Sequence, residues 1–293
     1  MTLWPHSSQP LDGSNPPSSV EIIPNLSYAA YDARPGLRSG YLATADKRNL
    51  GIAEFIRTHP DEADKECLIL GSALHCLILE PQRFAQEWTV GDGPTNPTTG
   101  SPYGSDSKKY REWLMQQIKP VLTRAQYEKV LGMADAVAAD PDARVIRDNP
   151  RKTELSVFWE QDGVPCKCRL DCAQPKLLWD IKSCRDATEF GFMRSIADYR
   201  YHLQAAFYLM GACRAGLAEP TTPFQWLCVE NTPPFATHVM LVPIDLLGAA
   251  HDRVEKLIEQ YAACRKSGQF PTLYPKSTPT TPKWMLPKEE IEL

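Results

Sequence analysis

The stretch TELSVFWEQDGVPCKCRLDCAQPKLLWDIKSC, residues 153–184, decides the fold class, because it is rich in β-branched and aromatic residues and is interrupted twice by turn signals. Asp162-Gly163 is a strong signal for a two-residue hairpin turn, and Gln174-Pro175 ends the second run. The pattern predicts three consecutive strands, at about 153–161, 164–173 and 176–183.

Helical patterns lie on both sides of these strands. The run ECLILGSALHCLILEP, residues 66–81, predicts a buried helix that ends at Pro81. Residues 91–107 are dense in Gly, Pro, Ser and Thr, which predicts a long loop. The sequence therefore predicts a mixed α/β fold, with helices before, between and after the strands. Its further elements are helices at about 108–118, 123–139, 187–197, 201–215 and 244–266, and strands at about 224–231 and 236–242.

The length and composition suit one large globular domain: 293 residues, 43% apolar and 23% charged. Residues 1–25 are rich in proline and serine, which predicts a flexible arm before a single domain over 26–270 and an extended, proline-rich tail over 271–293. No apolar run approaches the roughly 20 residues of a membrane span, and the N-terminal residues lack the apolar core of a secretory signal. We therefore expect a cytoplasmic protein that does not bind a membrane.

The formal net charge of −4 argues against nucleic-acid binding, for which a basic excess is usual. Local clusters of positive charge could compensate, and so could enclosure of the nucleic acid. Each cluster taken alone is better explained as a solvated helix face. The clusters are Lys108, Lys109 and Arg111, and then Arg144, Arg147, Arg151 and Lys152.

The nine cysteines contain one close group, Cys166, Cys168, Cys172 and Cys184. No paired C-x-x-C occurs, and cysteines two residues apart share one face of a strand. The simplest interpretation is reduced, buried, small apolar side chains, and a cysteine-ligated metal is the alternative.

Asp171, Asp180 and Lys182 are the strongest candidates for chemistry. Two adjacent predicted strands carry them, so they can meet at one end of a sheet, and Asp180 and Lys182 share a face. Carboxylates hold Mg²⁺, which activates water for phosphodiester hydrolysis, and a lysine can stabilise the transition state. An exposed strand with an ion pair is the competing interpretation. The run LLWDIKS is otherwise apolar, and buried charges need a shared task to offset their cost, which favours a site.

Four further residues could join this group. Gln204 and Tyr208 are four apart on the predicted helix 201–215 and share a face, where both can donate hydrogen bonds to phosphate oxygens. His75 lies inside the apolar helix, and Glu154 opens the first strand. Each has an ordinary structural explanation when taken singly, as helix surface, core histidine or strand surface.

The sequence resembles the RecE-type, exonuclease VIII-like branch of the PD-(D/E)XK nuclease superfamily, which is related to lambda exonuclease. The resemblance extends from about Leu26 to Trp284 and rests on several motifs in order. They are YDARPGLRSGYL (31–42), GSALHCLILEP (71–81), the proline–glycine loop around 94–104, TELSVFW (153–159), CRLD (168–171), WDIKS (179–183) and YHLQAAFYLMG (201–211).

The resemblance implies a central mixed β-sheet flanked by helices, the restriction-endonuclease-like core of PD-(D/E)XK nucleases, with a metal site and a catalytic lysine. Asp171 and Asp180 would be metal ligands, together with the backbone carbonyl of Ile181. Lys182 would be the catalytic lysine. His75 matches the family's helix histidine, which lies near the metal.

The resemblance also implies contacts around the metal site. Glu154 matches an acidic position of the family and would be a further metal ligand. Gln204 and Tyr208 match the glutamine and tyrosine that support the site and the substrate phosphate. Arg38 and Ser39 are candidates for a pocket that receives a 5′-phosphate, with an ordinary helix-start turn as the alternative.

The implied activity is exonucleolytic digestion of double-stranded DNA ends from 5′ to 3′, which leaves 3′ overhangs for phage-type recombination. It would need Mg²⁺, for which Mn²⁺ could substitute, but neither ATP nor an iron–sulfur cluster. A RecT/Bet-like single-strand annealing protein would be the partner, and the chain would form a trimeric or tetrameric ring. An endonuclease and a catalytically silent DNA-end binding module on the same fold remain open alternatives.

Overall fold

A six-stranded sheet forms the centre of the protein in the computed structural model, which describes residues 20–59, 65–149 and 151–274, with only the backbone of 65–67. The strands are β1 (Glu21–Ile23), β2 (Thr89–Val90), β3 (Val121–Leu122), β4 (Lys152–Gln161), β5 (Val164–Gln174), β6 (Leu177–Cys184), β7 (Phe224–Glu230) and β8 (Thr237–Leu241). The order in the central sheet is β1-β4-β5-β6-β7-β8, while β2 and β3 pair separately. Every central pair is antiparallel except β6 with β7, so the sheet is mixed as predicted.

The three strands β4, β5 and β6 confirm the prediction for residues 153–183 to within one or two residues at each end. Asp162 and Gly163 both have positive φ, 52° and 73°, as the type I′ turn of a two-residue hairpin requires. The strands predicted near 224–231 and 236–242 are present as β7 and β8. Local turn chemistry and β-propensity therefore specify this part of the sheet.

Helices cover both faces of the sheet. The predicted helix 108–118 begins after its cap Ser107 but stops at Met115, and Thr123 with Gln126 forms a capping box at the start of the next. The helices are α1 (Tyr28–Ala33), α2 (Ser39–Lys47), α3 (Leu50–Thr58), α4 (Lys65–Leu79), α5 (Phe84–Glu87), α6 (Lys108–Met115), α7 (Arg124–Ala139), α8 (Val145–Asp148), α9 (Glu189–Tyr199), α10 (Tyr201–Arg214) and α11 (Ile244–Ser267).

Two apolar clusters pack against opposite faces of the sheet. One contains buried side chains of α2, α3, α9, α10 and α11. The other contains buried side chains of α4, α5, α7 and α8. The result is a helix–sheet–helix sandwich in which both faces of the sheet are apolar.

The chain joins the fold before the predicted domain start at residue 26. Residues 21–23, which were expected within a flexible arm, form β1 and pair with β4 between Ser156 and Phe158. At the other end, the backbone N–H of Gly51 donates to the carbonyl of Pro271, 2.9 Å away. Residues 1–19 and 275–293 lie outside the described residues. Among the described residues, no helix is both long and apolar enough to cross a bilayer.

The four clustered cysteines do not converge on one point. Cys166, Cys168 and Cys184 pack in the cluster beneath α10, whereas Cys172 packs in the cluster on the other face of the sheet. All four are buried and unpaired, and burial raises the pKa of the Cys166 thiol to about 12. This geometry favours the interpretation as small apolar core residues over a shared cysteine-ligated metal.

Candidate active site

A fork between β5 and β6 creates the candidate site. Their ladder ends at the pair Cys172–Trp179, although the same register would next set Asp171 opposite Asp180. There the carboxylate oxygen Oδ2 of Asp171 takes the place of a backbone acceptor on β5, and the backbone N–H of Ile181 donates to it at 2.8 Å. The side chains of Asp171, Asp180 and Lys182 are thus brought to the point where the two strands separate.

Beyond the fork, where β6 no longer pairs with β5, the segment PGLRS (35–39) hydrogen-bonds to β5 instead. The backbone N–H of Leu37 donates to the carbonyl of Pro165 at 2.7 Å, and that of Lys167 donates to the carbonyl of Leu37 at 2.8 Å. The amine of Lys167 is buried and donates to three carbonyls at the end of α1, those of Tyr31, Asp32 and Arg34. Residues 35–39 therefore keep β5 and β6 apart beyond the fork.

Asp180, Lys182 and Gln204 form one hydrogen-bonded group, in which Asp180 is buried and the other two are partly buried. The Nζ of Lys182 lies 2.6 Å from Oδ2 of Asp180 and donates to Oε1 of Gln204 at 3.0 Å. The amide nitrogen of Gln204 donates to the other carboxylate oxygen of Asp180 at 3.1 Å. Asp180 is only 1% exposed. Burial alone would lower the pKa of Lys182, but Asp180 and Asp171 outweigh it and raise that pKa, so the amine stays charged.

His75, Glu154 and Asp171 form a second group beside the first. The Nδ1 of His75 lies 3.5 Å from Oε1 of Glu154 and 3.6 Å from Oδ1 of Asp171. Its Nε2 lies 3.2 Å from the carbonyl oxygen of Ile181. One ligand atom from each of the three side chains lies within 4.8 Å of the other two, which suits a shared metal ion. Asp180 is turned toward Lys182 instead, so its role as a ligand stays a prediction.

Burial and charge shift the pKa values of this second group. Burial, opposed by His75 and reinforced by Asp180 and Glu154, raises the pKa of Asp171 to about 7. Burial lowers the pKa of His75, but Asp171 and Glu154 outweigh it and raise that pKa to about 9. Burial raises the pKa of Glu154, but His75 and Arg169 outweigh it and lower that pKa. In this arrangement His75 is an imidazolium at neutral pH, with an acceptor near each ring nitrogen.

Glu154 occupies a strained position directly opposite Asp171. Its φ is +48°, in the left-handed region, and the β4–β5 ladder lacks a pair at that one step. The guanidinium of Arg169 donates to Glu154 and also to the carbonyl of Leu26. A left-handed conformation outside glycine costs about 1–3 kcal/mol and is found preferentially at functional sites. The strain is consistent with a carboxylate held in place for a task.

The remaining predicted residues lie at different distances from this centre. Tyr208 is one turn beyond Gln204 on α10, and burial raises its pKa well above the usual value. Arg38 is an exposed partner of Asp32, with 2.6 Å between guanidinium and carboxylate, and Ser39 begins α2. Among the described residues, no hydrogen bond or ion pair links Arg38 or Ser39 to the carboxylates of the fork. Their assignment to a phosphate pocket stays a prediction.

Sequence reasoning missed two residues that contact the candidate site. Arg169 pairs with Glu154, and its spacing of two from Asp171 on one strand was the available signal. Tyr201 places its ring under the amine of Lys182, with Nζ 4.6 Å from the ring centroid. Tyr201 begins the helix that carries Gln204, but no local pattern relates its ring to Lys182.

Comparisons with known proteins agree with this architecture. A family model described as a PDDEXK-like domain of unknown function (DUF3799) matches residues 52–275. A solved structure from Eubacterium rectale, described as a "putative exonuclease", is 12% identical with a TM-score of 0.58 and covers 83% of this chain and 87% of its own. A second solved protein, SSO0001, is 17% identical over 46% of this chain and 67% of its own, with a TM-score of 0.25. No curated protein matches the sequence.

Proposed function

The chain belongs to the DUF3799 family of PDDEXK-like domains, and we propose that it is a metal-dependent exodeoxyribonuclease acting on linear double-stranded DNA. Its fold is that of the PD-(D/E)XK nuclease superfamily. Fold alone does not establish chemistry, so the proposal depends on the site. The observation that carries it is the convergence of Asp171, Asp180 and Lys182 at the fork between β5 and β6.

The side chains present fit a divalent cation. Carboxylate and imidazole groups meet at one place, close to the carbonyl of Ile181. Burial, reinforced by Asp180 and Glu154, raises the pKa of Asp171, and a divalent cation beside it would favour the charged form. Asp171, Glu154 and His75 would hold the ion, with Asp180 and the carbonyl of Ile181 as further ligands, and His75 would have to release its proton to coordinate through a ring nitrogen. An oxygen-rich donor set favours Mg²⁺, and Mn²⁺ can replace it. Such an ion polarises a phosphate and lowers the pKa of a bound water.

The protein's own groups would position the phosphate. Lys182 is held charged and in a fixed place by Asp180 and Gln204, so it can stabilise negative charge that develops on the phosphate. Gln204 bridges the lysine and the carboxylate and thereby sets their orientation. Tyr208, one turn further along α10, would support this face of the helix. We assign Lys182 a charge-stabilising role.

The exonucleolytic mode and its biological setting are further parts of the proposal. They are supported by the motif resemblance to the RecE-type branch and by the name of the Eubacterium rectale structure. Digestion would run from 5′ to 3′ and leave 3′ overhangs for strand annealing in phage-type recombination. A RecT/Bet-like annealing protein would be the partner, a homo-oligomeric ring the assembly and the cytoplasm the location.

The test uses linear duplexes labelled separately at each end, with and without a 5′-phosphate, beside closed circular DNA. We expect Mg²⁺-dependent release of nucleotides from linear DNA only, which EDTA abolishes and Mn²⁺ restores. Asp171→Asn and Asp180→Asn should abolish release without unfolding the protein. Asp148→Asn makes the same chemical change at a carboxylate that is 64% exposed and should retain full activity.

Two outcomes would contradict the proposal. Nicking or linearising supercoiled circles as fast as linear DNA is shortened would make the protein an endonuclease on the same fold. DNA-end binding that persists in Mg²⁺ and Mn²⁺ without any product would make it a catalytically silent binding module.

A further inference from the structure

A stack of two tyrosine rings leads from the amine of Lys182 to solvent. The ring of Tyr201 lies under Lys182, and the ring of Tyr199 stacks on it with centroids 5.5 Å apart and planes inclined by 23°. Phe192 supports Tyr201 from within the core, with 5.8 Å between centroids. Tyr201 is partly buried, whereas Tyr199 is 64% exposed. An aromatic surface is thus presented to solvent close to the proposed catalytic lysine.

Contacts with α2 hold the corner that carries these rings. Arg200, between α9 and α10, has φ +59° in the left-handed region, which costs free energy outside glycine. An ion pair from its guanidinium to Asp46, at 2.6 Å, fixes this conformation from α2. The amine of Lys47 also donates to the carbonyl of Asp198 at 3.1 Å. The position of Tyr199 is therefore set before any ligand binds, which lowers the entropic cost of binding.

We propose that Tyr199 is a stacking platform for a nucleobase of the DNA strand being digested. The inference rests on the proposed function, which puts Lys182 at the scissile phosphate. The steps of 4.6 Å and 5.5 Å from Lys182 to Tyr199 span up to about three nucleotides at roughly 3.4 Å each. The stacked base therefore belongs to one of the three nucleotides nearest that phosphate.

The chemistry of an exposed ring suits an enzyme that cuts DNA of any sequence. Every base has an aromatic face, so stacking holds a strand without reading its sequence. Stacking also adds affinity without positive charge, which matters for a chain of net charge −4. We therefore expect the contribution of Tyr199 to be the same at low and high salt, unlike phosphate contacts, which weaken as salt rises.

A double-mutant cycle between Tyr199 and single bases tests the platform. The dissociation constant of the full-length protein is measured in Ca²⁺, which prevents cleavage. The substrates are an intact duplex and duplexes with one abasic site at the first, second or third nucleotide from either strand end. Tyr199→Ala should weaken binding of intact DNA by roughly 5- to 150-fold, the range of one base–aromatic stack. At one abasic position the same substitution should have no effect.

Two control variants isolate the ring. Tyr199→Phe keeps the aromatic face and should bind as the wild type does. Phe190→Ala removes a similarly exposed ring, 71% exposed, from the same helix, where the guanidinium of Arg194 lies over it, and it should leave binding unchanged. Equal weakening by Tyr199→Ala on intact and on every abasic duplex would overturn the platform. So would a change in oligomeric state without coupling to any base, because Tyr199 would then be a subunit contact.

The platform and the proposed function fail in different ways. Digestion of linear DNA by the wild type, with no coupling between Tyr199 and any base, would overturn the platform alone. Coupling to one base, with no product in Mg²⁺ or Mn²⁺, would support the platform and overturn the nuclease. A wild-type protein that neither binds nor digests DNA ends would overturn both.

Discussion

Lys182→Met should destabilise the protein by about 4 kcal/mol at pH 7, because it leaves a buried carboxylate without a cation. Asp180 is 1% exposed, and its Oδ2 lies 2.6 Å from the amine of Lys182. Without that amine the carboxylate can escape its buried charge only by taking up a proton. For an aspartate of ordinary pKa near 3.9, protonation costs about 1.4 kcal/mol for each pH unit above that pKa, hence about 4 kcal/mol at pH 7 and about 1.5 kcal/mol at pH 5.

The sign of the pH dependence follows from the variant's raised carboxyl pKa. A group whose pKa is higher in the folded state binds a proton that the unfolded state lacks, so the loss grows as pH rises above about 3.9. Urea unfolding in EDTA at pH 5 and pH 7 measures both values. The double variant Asp180→Asn/Lys182→Met should recover most of the stability, because a neutral amide can keep its hydrogen bond with Gln204.

Two results would refute this reasoning. A loss of less than about 1 kcal/mol at pH 7 would mean that the pair is not buried and coupled. A double variant as unstable as Lys182→Met would mean that the lysine acts by packing alone. Mg²⁺ adds an independent check on Asp180, since a ligand that binds only the folded state stabilises it. If Asp180 is a metal ligand, Mg²⁺ should stabilise Lys182→Met more than the double variant.

Four further predictions can be checked on single variants. Gly211→Ala would place a Cβ 2.8 Å from a cysteine sulfur and from a tryptophan ring of the sheet, so urea unfolding should show a loss of about 1–3 kcal/mol. Cys166→Ser, at a buried position, should lower stability by about 1–2 kcal/mol but leave nucleotide release unchanged; complete loss of activity would revive the cysteine–metal alternative. Burial and then a neighbouring arginine lower the pKa of His251 to about 4, so below about pH 6.5 the unfolded state binds a proton that the native state does not bind. Stability should therefore fall by up to about 3 kcal/mol as pH drops from 6.5 to 4, and His251→Gln should remove this dependence. Arg38→Ala should raise KM for 5′-phosphorylated ends and leave KM for 5′-hydroxyl ends unchanged; equal effects on both would exclude the phosphate pocket.

The elements around the site could be predicted because their signals are local. Strands β4, β5 and β6 follow from runs of β-branched and aromatic residues, and the turn between the first two from Asp162-Gly163. The same-face placement of Asp180 and Lys182 follows from the two-residue period of a strand. The fold class follows from the order of these elements along the chain, and the family comparison confirms it.

The geometry of the fork could not be predicted, because it depends on contacts between distant parts of the chain. Leu37 must occupy the edge of β5 that β6 leaves, and no pattern near residue 37 indicates a strand partner. The stack of Tyr199 on Tyr201 depends on the ion pair between Arg200 and Asp46, which are 154 residues apart. The sequence does not predict β1, for the same reason. Its three residues follow a proline-rich stretch and form a strand only because they pair with the edge of β4.

The acidic composition of the chain and its proposed action on DNA can be reconciled at the fork. The site contains three carboxylates, those of Glu154, Asp171 and Asp180. It also contains three cationic side chains, those of His75, Arg169 and Lys182. Burial, reinforced by Asp180 and Glu154, nevertheless raises the pKa of Asp171 to about 7, and a divalent cation beside this carboxylate would favour its charged form. A DNA phosphate would then meet positive charge from the ion and from Lys182 instead of from a basic surface. We therefore expect DNA binding to depend more steeply on the divalent cation than on substitutions in the two basic clusters of residues 108–111 and 144–152.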